Sequence, residues 1–314
     1  MRFAIFQATS VGDRRKNEDR AGYAYSRDAL LMMVADGMGG HVSGDRAAEV
    51  AVQVLAKAFS LAAKPTVDDP AAFLAHAFIE AHFAVNALVA GDRAGSAGSA
   101  GSAGSDQQPR TTLVAALVQN GQLWIAHVGD SRLYHLRNGR VTLRTTDHSQ
   151  AQLLLQQGLL TEADLRYHPS RNRLLASIGG EEVPRVEFTR RVTLQHNDVV
   201  ALCSDGLWGQ VDDEEIAKRL SVPNLEWATK ALVEEAVTRA MGHSDNVTLL
   251  TMRWLETAHE SLDAVFTETT AGVVTSIFSE MDDAVPSDLV LSDDEVDRAI
   301  QEINETIEKF RRNR

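Results

Sequence analysis

Cysteine is almost missing from this chain. Cys203 stands alone among 314 residues, so no internal disulfide can form, and no Cys/His pairs fall at zinc-binding spacing. Its neighbours Val199, Val200, Ala201 and Leu202 predict a small buried core residue and not a nucleophile. Long apolar runs are missing too. No stretch of about 18 apolar residues exists, and Met1 to Ser10 lacks the charged and then apolar layout of a signal peptide. The expectation is a cytoplasmic protein with no membrane span. Positive charge is in short supply as well, with 31 Lys and Arg against 44 Asp and Glu and a net charge of −13. The deficit is local: residues 256–314 hold 15 Asp or Glu against 5 Lys or Arg, which leaves −3 on the preceding 255 residues. A nearly balanced body without a basic stripe argues against nucleic-acid binding, which needs clustered cations to displace counterions.

What is present is an apolar content of 44% and enough length to bury a core, as one large domain with an appendage or as two domains. Phe3–Ala8 and Leu30–Ala35 read as strands. Ala47–Phe59 reads as a helix, and a second helix is expected from about Pro70 to Val89, with Phe73, Ala77, Phe78, Ala81 and Val85 on one stripe. The repeat from Ala94 to Ser105 cannot bury enough surface to order itself, so residues 91–110 are expected to be a flexible loop. It is a passive insertion, or its serines are modified. From Thr111 the pattern turns to β: Asn120-Gly121 and Asn138-Gly139 each separate two apolar runs, the strongest short hairpin signal. Gln150 to Arg173 looks helical and irregular. Strands follow at Arg185–Val192 and Asp198–Leu202, helices near Asp213–Leu220 and Leu225–Ala240, and a strand at Val247–Trp254. Consecutive hairpins framed by helix pairs predict an α+β fold, two antiparallel sheets face to face with helices outside.

After Trp254 the character changes. Residues 256–291 are acidic and weakly patterned, and Ser292-Asp293-Asp294-Glu295 forms a capping box that opens a helix over residues 293–311. Its stripe of Val296, Ile300, Ile303, Ile307 and Phe310 either docks on the body or meets a partner or a second copy.

Four acidic residues recur where apolar runs end or begin: Asp36 before Gly37, Asp130 between Gly129 and Ser131, Asp205 before Gly206, and Asp245 before Asn246. Each is thereby presented where a strand meets a tight turn. Brought together, they would repel one another unless cations intervene, and hard ions such as Mg²⁺ and Mn²⁺ prefer such oxygen donors. Taken singly, each Asp-Gly is as well explained as turn chemistry.

With the charged loop Gly12 to Asp19 upstream, this order of motifs resembles the metal-dependent serine/threonine protein phosphatases, the PPM or type 2C family, in its bacterial branch. The matching segments are Arg14 to Asp19, Val34 to His41, Thr111-Thr112, His127 to Arg132, Asp147-His148-Ser149, His168-Pro169, Ser204 to Trp208 and Asp245 to Thr248. They follow family order across about residues 1–254, far beyond what a single motif carries.

The resemblance implies a four-layer αββα sandwich over residues 1–255 and two catalytic Mn²⁺ or Mg²⁺ ions, with a third possible. In that family a metal-activated water attacks the phosphorus of a phosphoserine or phosphothreonine in line. Carried over, Asp36 bridges both ions, the Gly37 carbonyl and a water-mediated Glu18 complete one, and Asp205 with Asp245 holds the other. Arg14 takes the phosphate-binding position, suited by its planar fork of donors. Arg15 and Lys16 read as surface charges. Asp130 with Asp205 matches a third metal site of bacterial members; Asp130 equally well holds its hairpin. His148 to Ser177 resembles the family's flap, where Arg166, Arg171 and Arg173 meet an acidic substrate or solvent. The implied partners are phosphorylated proteins and a cognate serine/threonine kinase. Two departures stand out. Met38 occupies the place where many eukaryotic relatives carry a histidine that donates a proton, which leaves water or His41 to do so, and Arg110 replaces a glycine before Thr111-Thr112. Two other readings compete: a non-catalytic phosphoprotein- or kinase-binding scaffold of the same fold, and a two-metal nuclease or acidic metal-binding module.

Overall fold

The computed structural model of the chain describes residues 1–38, 44–95, 108–165, 168–256 and 274–278. The helix expected over 293–311 and His41 lie outside the described residues.

Two antiparallel sheets form the centre. The first has five strands, with β1 (Phe3–Ser10) and β8 (Arg140–Arg144) at its edges and β12 (Val247–Trp254), β11 (Val199–Cys203) and β7 (Arg132–Arg137) between them. The second runs β10 (Val192–Thr193), β6 (Gln122–Val128), β5 (Leu113–Gln119), β3 (Ala29–Met38), β2 (Asp19–Tyr25) and β13 (Val274–Phe278), with β4 (Arg110–Thr111) on β3 and β9 (Glu187–Phe188) on β6.

Alternation decides the layers. In β3, Leu31, Met33 and Ala35 face the helices α1 (Gly44–Ala62) and α2 (Pro70–Gly95), while Leu30, Met32 and Val34 face the other sheet. In β11, Val200 and Leu202 meet that shared core, while Val199, Ala201 and Cys203 point to α5 (Asp205–Trp208), α6 (Asp213–Leu220) and α7 (Leu225–Arg239). Both faces of the central strands are buried, which is why they read as unbroken apolar runs. The result is the αββα sandwich, with three apolar layers between four structural ones. Cys203 is fully buried in it, and burial pushes its thiol pKa up.

The hairpins form as expected: Asn120 and Gly121 have φ of 51° and 67°, and Asn138 and Gly139 have φ of 52° and 74°, the two positive angles of a type I′ turn. Four expectations need correction. The strand β2 was not foreseen, because its inward residues Ala21, Gly22 and Ala24 are too small to look like a strand face. Helix α2 runs on to Gly95, into the segment expected to be a loop. The strand expected over Arg185–Val192 reduces to the short β9 and β10. Within the weakly patterned residues 256–291, Val274–Phe278 pairs antiparallel with β2, Val274 opposite Tyr25.

Helix α2 is apolar and long enough over Pro70–Leu88 to cross a membrane by length and composition. Here Leu74, Ala77, Phe78, Ala81 and Val85 are buried against α1 and the sheet, so its apolarity is that of a core helix. The flap region carries α3 (Gln150–Gln156), capped by the Ser149 hydroxyl on Gln152 N–H at 3.3 Å, and α4 (Glu162–Leu165).

Candidate active site

Strand ends build one cleft at one edge of the sandwich. Asp36 lies near the end of β3, Asp130 sits in the turn from β6 to β7, Asp205 opens α5 just after β11, and Asp245 precedes β12. Arg14 and Glu18 come from the loop joining β1 to β2. All of them, with Gly37, Met38, Asn246 and the flap residues Asn172 and Leu174, line a cleft of about 520 Å³. Seven residues singled out in the sequence thus meet: Arg14, Glu18, Asp36, Gly37, Asp130, Asp205 and Asp245. Arg15 and Lys16 also reach the rim, and Lys16 Nζ pairs with Asp45 Oδ2 at 2.7 Å. Of the flap arginines, Arg171 lowers the Asp205 carboxyl by its charge; Arg166 lies outside the described residues.

The backbone around Asp36 is clamped. Its N–H donates to Thr112 Oγ1 at 2.9 Å, while its carbonyl accepts from Thr111 Oγ1 at 2.9 Å and Thr112 N at 2.8 Å. Arg110 sits in β4 opposite Met38, so extended backbone serves where a glycine was expected. At Gly37 a Cβ would lie 2.1 Å from the Gly44 carbonyl oxygen, so only glycine lets α1 approach the strand end.

The electrostatics are those of an uncompensated acidic cluster. Burial raises the Asp36 pKa well above the carboxylate range, and the charges of Asp19, Asp205, Asp130 and Asp245 add to it. Burial likewise raises Asp130, reinforced by Asp205 and Asp147. Burial and then Asp245 push Asp205 up to about 6, although the charges of Arg171 and Arg14 oppose the shift. Glu18 is raised by burial and by Asp45. Several buried carboxylates that raise one another by charge are a poor arrangement without a cation. A divalent cation among them would cancel the repulsion, so the residues present fit an oxygen-preferring ion.

Arg14 Nη2 meets Asp245 Oδ2 at 2.7 Å, with the Arg14 side chain 61% exposed. The pair raises the Arg14 pKa further, and the fork's outer face points to solvent where an anion would enter.

Three contributors were not identified from sequence. Asp19, paired across the sheet with Asp36, is pushed up to about 7 by burial, against the hydrogen bond it accepts from Ser204. Its Oδ2 accepts from Ser204 Oγ at 2.7 Å, and its Oδ1 is buried without a hydrogen bond. Asn246 accepts from Glu18 N at 2.8 Å and donates to the Val11 and Lys16 carbonyls at 2.9 and 3.0 Å, which fixes the loop that carries Arg14. Only the positions of Asp19, Ser204 and Asn246 inside the quoted motifs hinted at this.

A family model described as protein phosphatase 2C matches residues 10–242. The chain belongs to that family. It is 35% identical over 244 residues to the serine/threonine phosphatase stp of Listeria innocua, covering 76% of this chain and 90% of that protein. It is 34% identical over 240 residues to the serine/threonine protein phosphatase PstP of Mycobacterium tuberculosis, covering 76% of this chain and 42% of PstP. The crystal structure of the PstP catalytic domain in complex with two manganese ions superposes with a TM-score of 0.65 at 28% identity, over 81% of this chain and 99% of that one.

Proposed function

We propose that the chain is a metal-dependent protein serine/threonine phosphatase, in which Asp36, Gly37, Glu18, Asp205 and Asp245 hold two Mn²⁺ or Mg²⁺ ions and Asp130 a third. The observation that carries this is the convergence of Asp36, Asp205, Asp130 and Glu18, all with raised pKa, on one cleft beside an exposed arginine. The ions, when bound, supply Lewis acidity toward water and phosphoryl oxygens.

The chain's own residues do the rest. Arg14 grips the substrate's phosphoryl oxygens; once Asp245 is occupied by a cation, its guanidinium is free to turn fully to the phosphate. Asn246 and the Thr111–Thr112 clamp keep the loop and Asp36 in place. Among the described residues no Ser, Thr, Cys or His lines the cleft, so direct attack by water, without a covalent enzyme intermediate, suits it. The water oxygen bonds to phosphorus as the seryl or threonyl oxygen leaves with a proton. Met38 cannot supply that proton, which leaves water or His41 as its source.

Phosphorylated proteins are the substrates this family context supports, and a cognate serine/threonine kinase is the enzyme it would oppose. Residues 1–255 would form the phosphatase domain, with 256–314 as an acidic extension whose helix docks on the body or binds a partner. A non-catalytic phosphoprotein-binding scaffold of this fold would be favoured by a missing ligand, and each one is present. The test is hydrolysis of a phosphothreonine peptide with and without Mn²⁺. Turnover should require the ion and fall about 10²–10³-fold in Asp36→Asn and Asp205→Asn; metal-dependent turnover surviving in both would sink the assignment.

A further inference from the structure

His127, His148 and Glu187 stand outside the residues that line the cleft, and phosphate hydrolysis gives them no task. Register places His127 on β6 directly opposite Glu187 on β9, so both side chains emerge on one face of the sheet. His148 comes from the segment after β8, and its ring centre lies 4.6 Å from that of His127. One nitrogen or carboxylate oxygen from each of the three falls within 4.8 Å of the other two.

The surroundings fix the protons. His127 Nε2 donates to the Thr146 carbonyl at 2.8 Å, because a carbonyl can only accept. Burial lowers the pKa of this ring and keeps it neutral, so Nδ1 carries a bare lone pair. That Nδ1 is buried without any hydrogen-bond partner, on a residue with no solvent exposure. His148 Nδ1 accepts from Gly129 N–H at 3.3 Å, which leaves its ring proton on Nε2, 3.2 Å from Glu187 Oε2. An orphaned acceptor, a second imidazole and a carboxylate converge.

We propose that His127, His148 and Glu187 bind a transition-metal cation of the zinc class, at a site separate from the carboxylate cleft. Two imidazole nitrogens and one carboxylate oxygen suit a borderline ion such as Zn²⁺, whereas the all-oxygen cleft suits Mg²⁺ or Mn²⁺. Three protein ligands leave a fourth position to solvent, and the 45% exposed Glu187 side chain gives access to it. The cation takes the place of the proton between His148 and Glu187; that proton moves to His148 Nδ1, and the long Gly129 contact is given up. Gly129 precedes Asp130, so the site adjoins a turn of the cleft. The three ligands come from three separate segments, which is why no local zinc spacing announces them.

Full-chain protein saturated with Mg²⁺, to occupy the cleft, is titrated with Zn²⁺ by calorimetry, and histidine ring nitrogens are followed by ¹⁵N NMR. Wild type should bind one Zn²⁺ per chain with shifts at both rings. Glu187→Gln should weaken binding by at least about tenfold, the lower bound for even an outer-shell partner, and His148→Gln should abolish it. Zinc that moves neither ring in wild type overturns the proposal, and this reading depends on no variant folding. So does uptake that persists in His148→Gln but is lost in Asp205→Asn, which would place the zinc in the cleft.

Discussion

Buried acids are compensated beside Trp208 and left uncompensated in the cleft. Arg132 holds Asp147 with two bonds of 2.8 and 2.7 Å, stacks 3.8 Å over Trp208 and reaches Asp213 at 3.3 Å; Arg144 closes the set on Asp213 at 2.7 Å. Against its burial, the charges of Arg132 and Arg144 hold the Asp213 carboxyl below its usual range. Where β11 begins beside β7, Arg137 and His135 likewise outweigh burial and lower Asp198 to about 2. In the cleft, by contrast, Asp36, Asp130, Asp205 and Glu18 all stay raised, although Arg14 and Arg171 oppose the shift at Asp205, Lys16 and Arg14 at Glu18, and Arg132 at Asp130. A carboxylate paired inside the protein is part of the scaffold. One left with a raised pKa among its own kind is kept for an outside cation.

The sharpest way to break this contrast is to remove compensation from the scaffold. Arg132→Ala leaves Asp147 and Asp213 buried without their main cation and should cost about 3–5 kcal/mol in denaturant unfolding; a loss below about 1 kcal/mol would show the network to be ornamental. Asn246→Ala removes three hydrogen bonds from the loop between β1 and β2. It should cost about 2–3 kcal/mol and weaken Mn²⁺ activation, whereas an unchanged melting curve would contradict its anchoring role. Arg14→Ala should raise KM about tenfold with little change in kcat, the loss of one charge-assisted contact. A collapse of kcat at constant KM would give Arg14 another task.

The smallest effect carries the most diagnostic sign. Asp205 and Asp19 have folded pKa values of about 6 and about 7 against an ordinary 3.8, so in that window the native state binds more protons than the unfolded one. In cation-free protein their contribution is therefore full below about 3.8 and lost as pH rises through about 6–7. Asp198, lowered to about 2, does the reverse: its contribution is present above 3.8 and lost as pH falls through about 2. Cation-free Asp36→Asn should thus melt above cation-free wild type at about pH 8, by about 2–4 °C per kcal/mol of repulsion relieved. Saturating Mn²⁺ should invert that order, and a mutant that melts lower in both conditions would refute the repulsion.

The parts legible in sequence were those written in local pattern. Asn-Gly turns, unbroken apolar runs and acids at strand ends predicted the hairpins, the layered sandwich and the four aspartates of the cleft, while Arg14, Glu18 and Gly37 came from the family resemblance. What escaped was small or distant. Strand β2 hides behind Ala21, Gly22 and Ala24, and β13 lies in a stretch whose acidity masks it. Asp19 finds Ser204 across 185 residues of sequence, and Asn246 finds Glu18 across 228; no spacing rule encodes such bonds. His127 and His148 were visible as motif residues, but Glu187 joins them only through the register of β6 and β9.

The most direct test of the central claim is a count of bound Mn²⁺ by electron paramagnetic resonance at about pH 8, above the pKa values of about 6 and about 7 that Asp205 and Asp19 take without a cation. Wild-type chain should hold at least two ions tightly, and Asp36→Asn should weaken their binding by at least about tenfold. Equal Mn²⁺ binding by the two proteins would contradict the account, because the acids of the cleft would then be buried for some other reason.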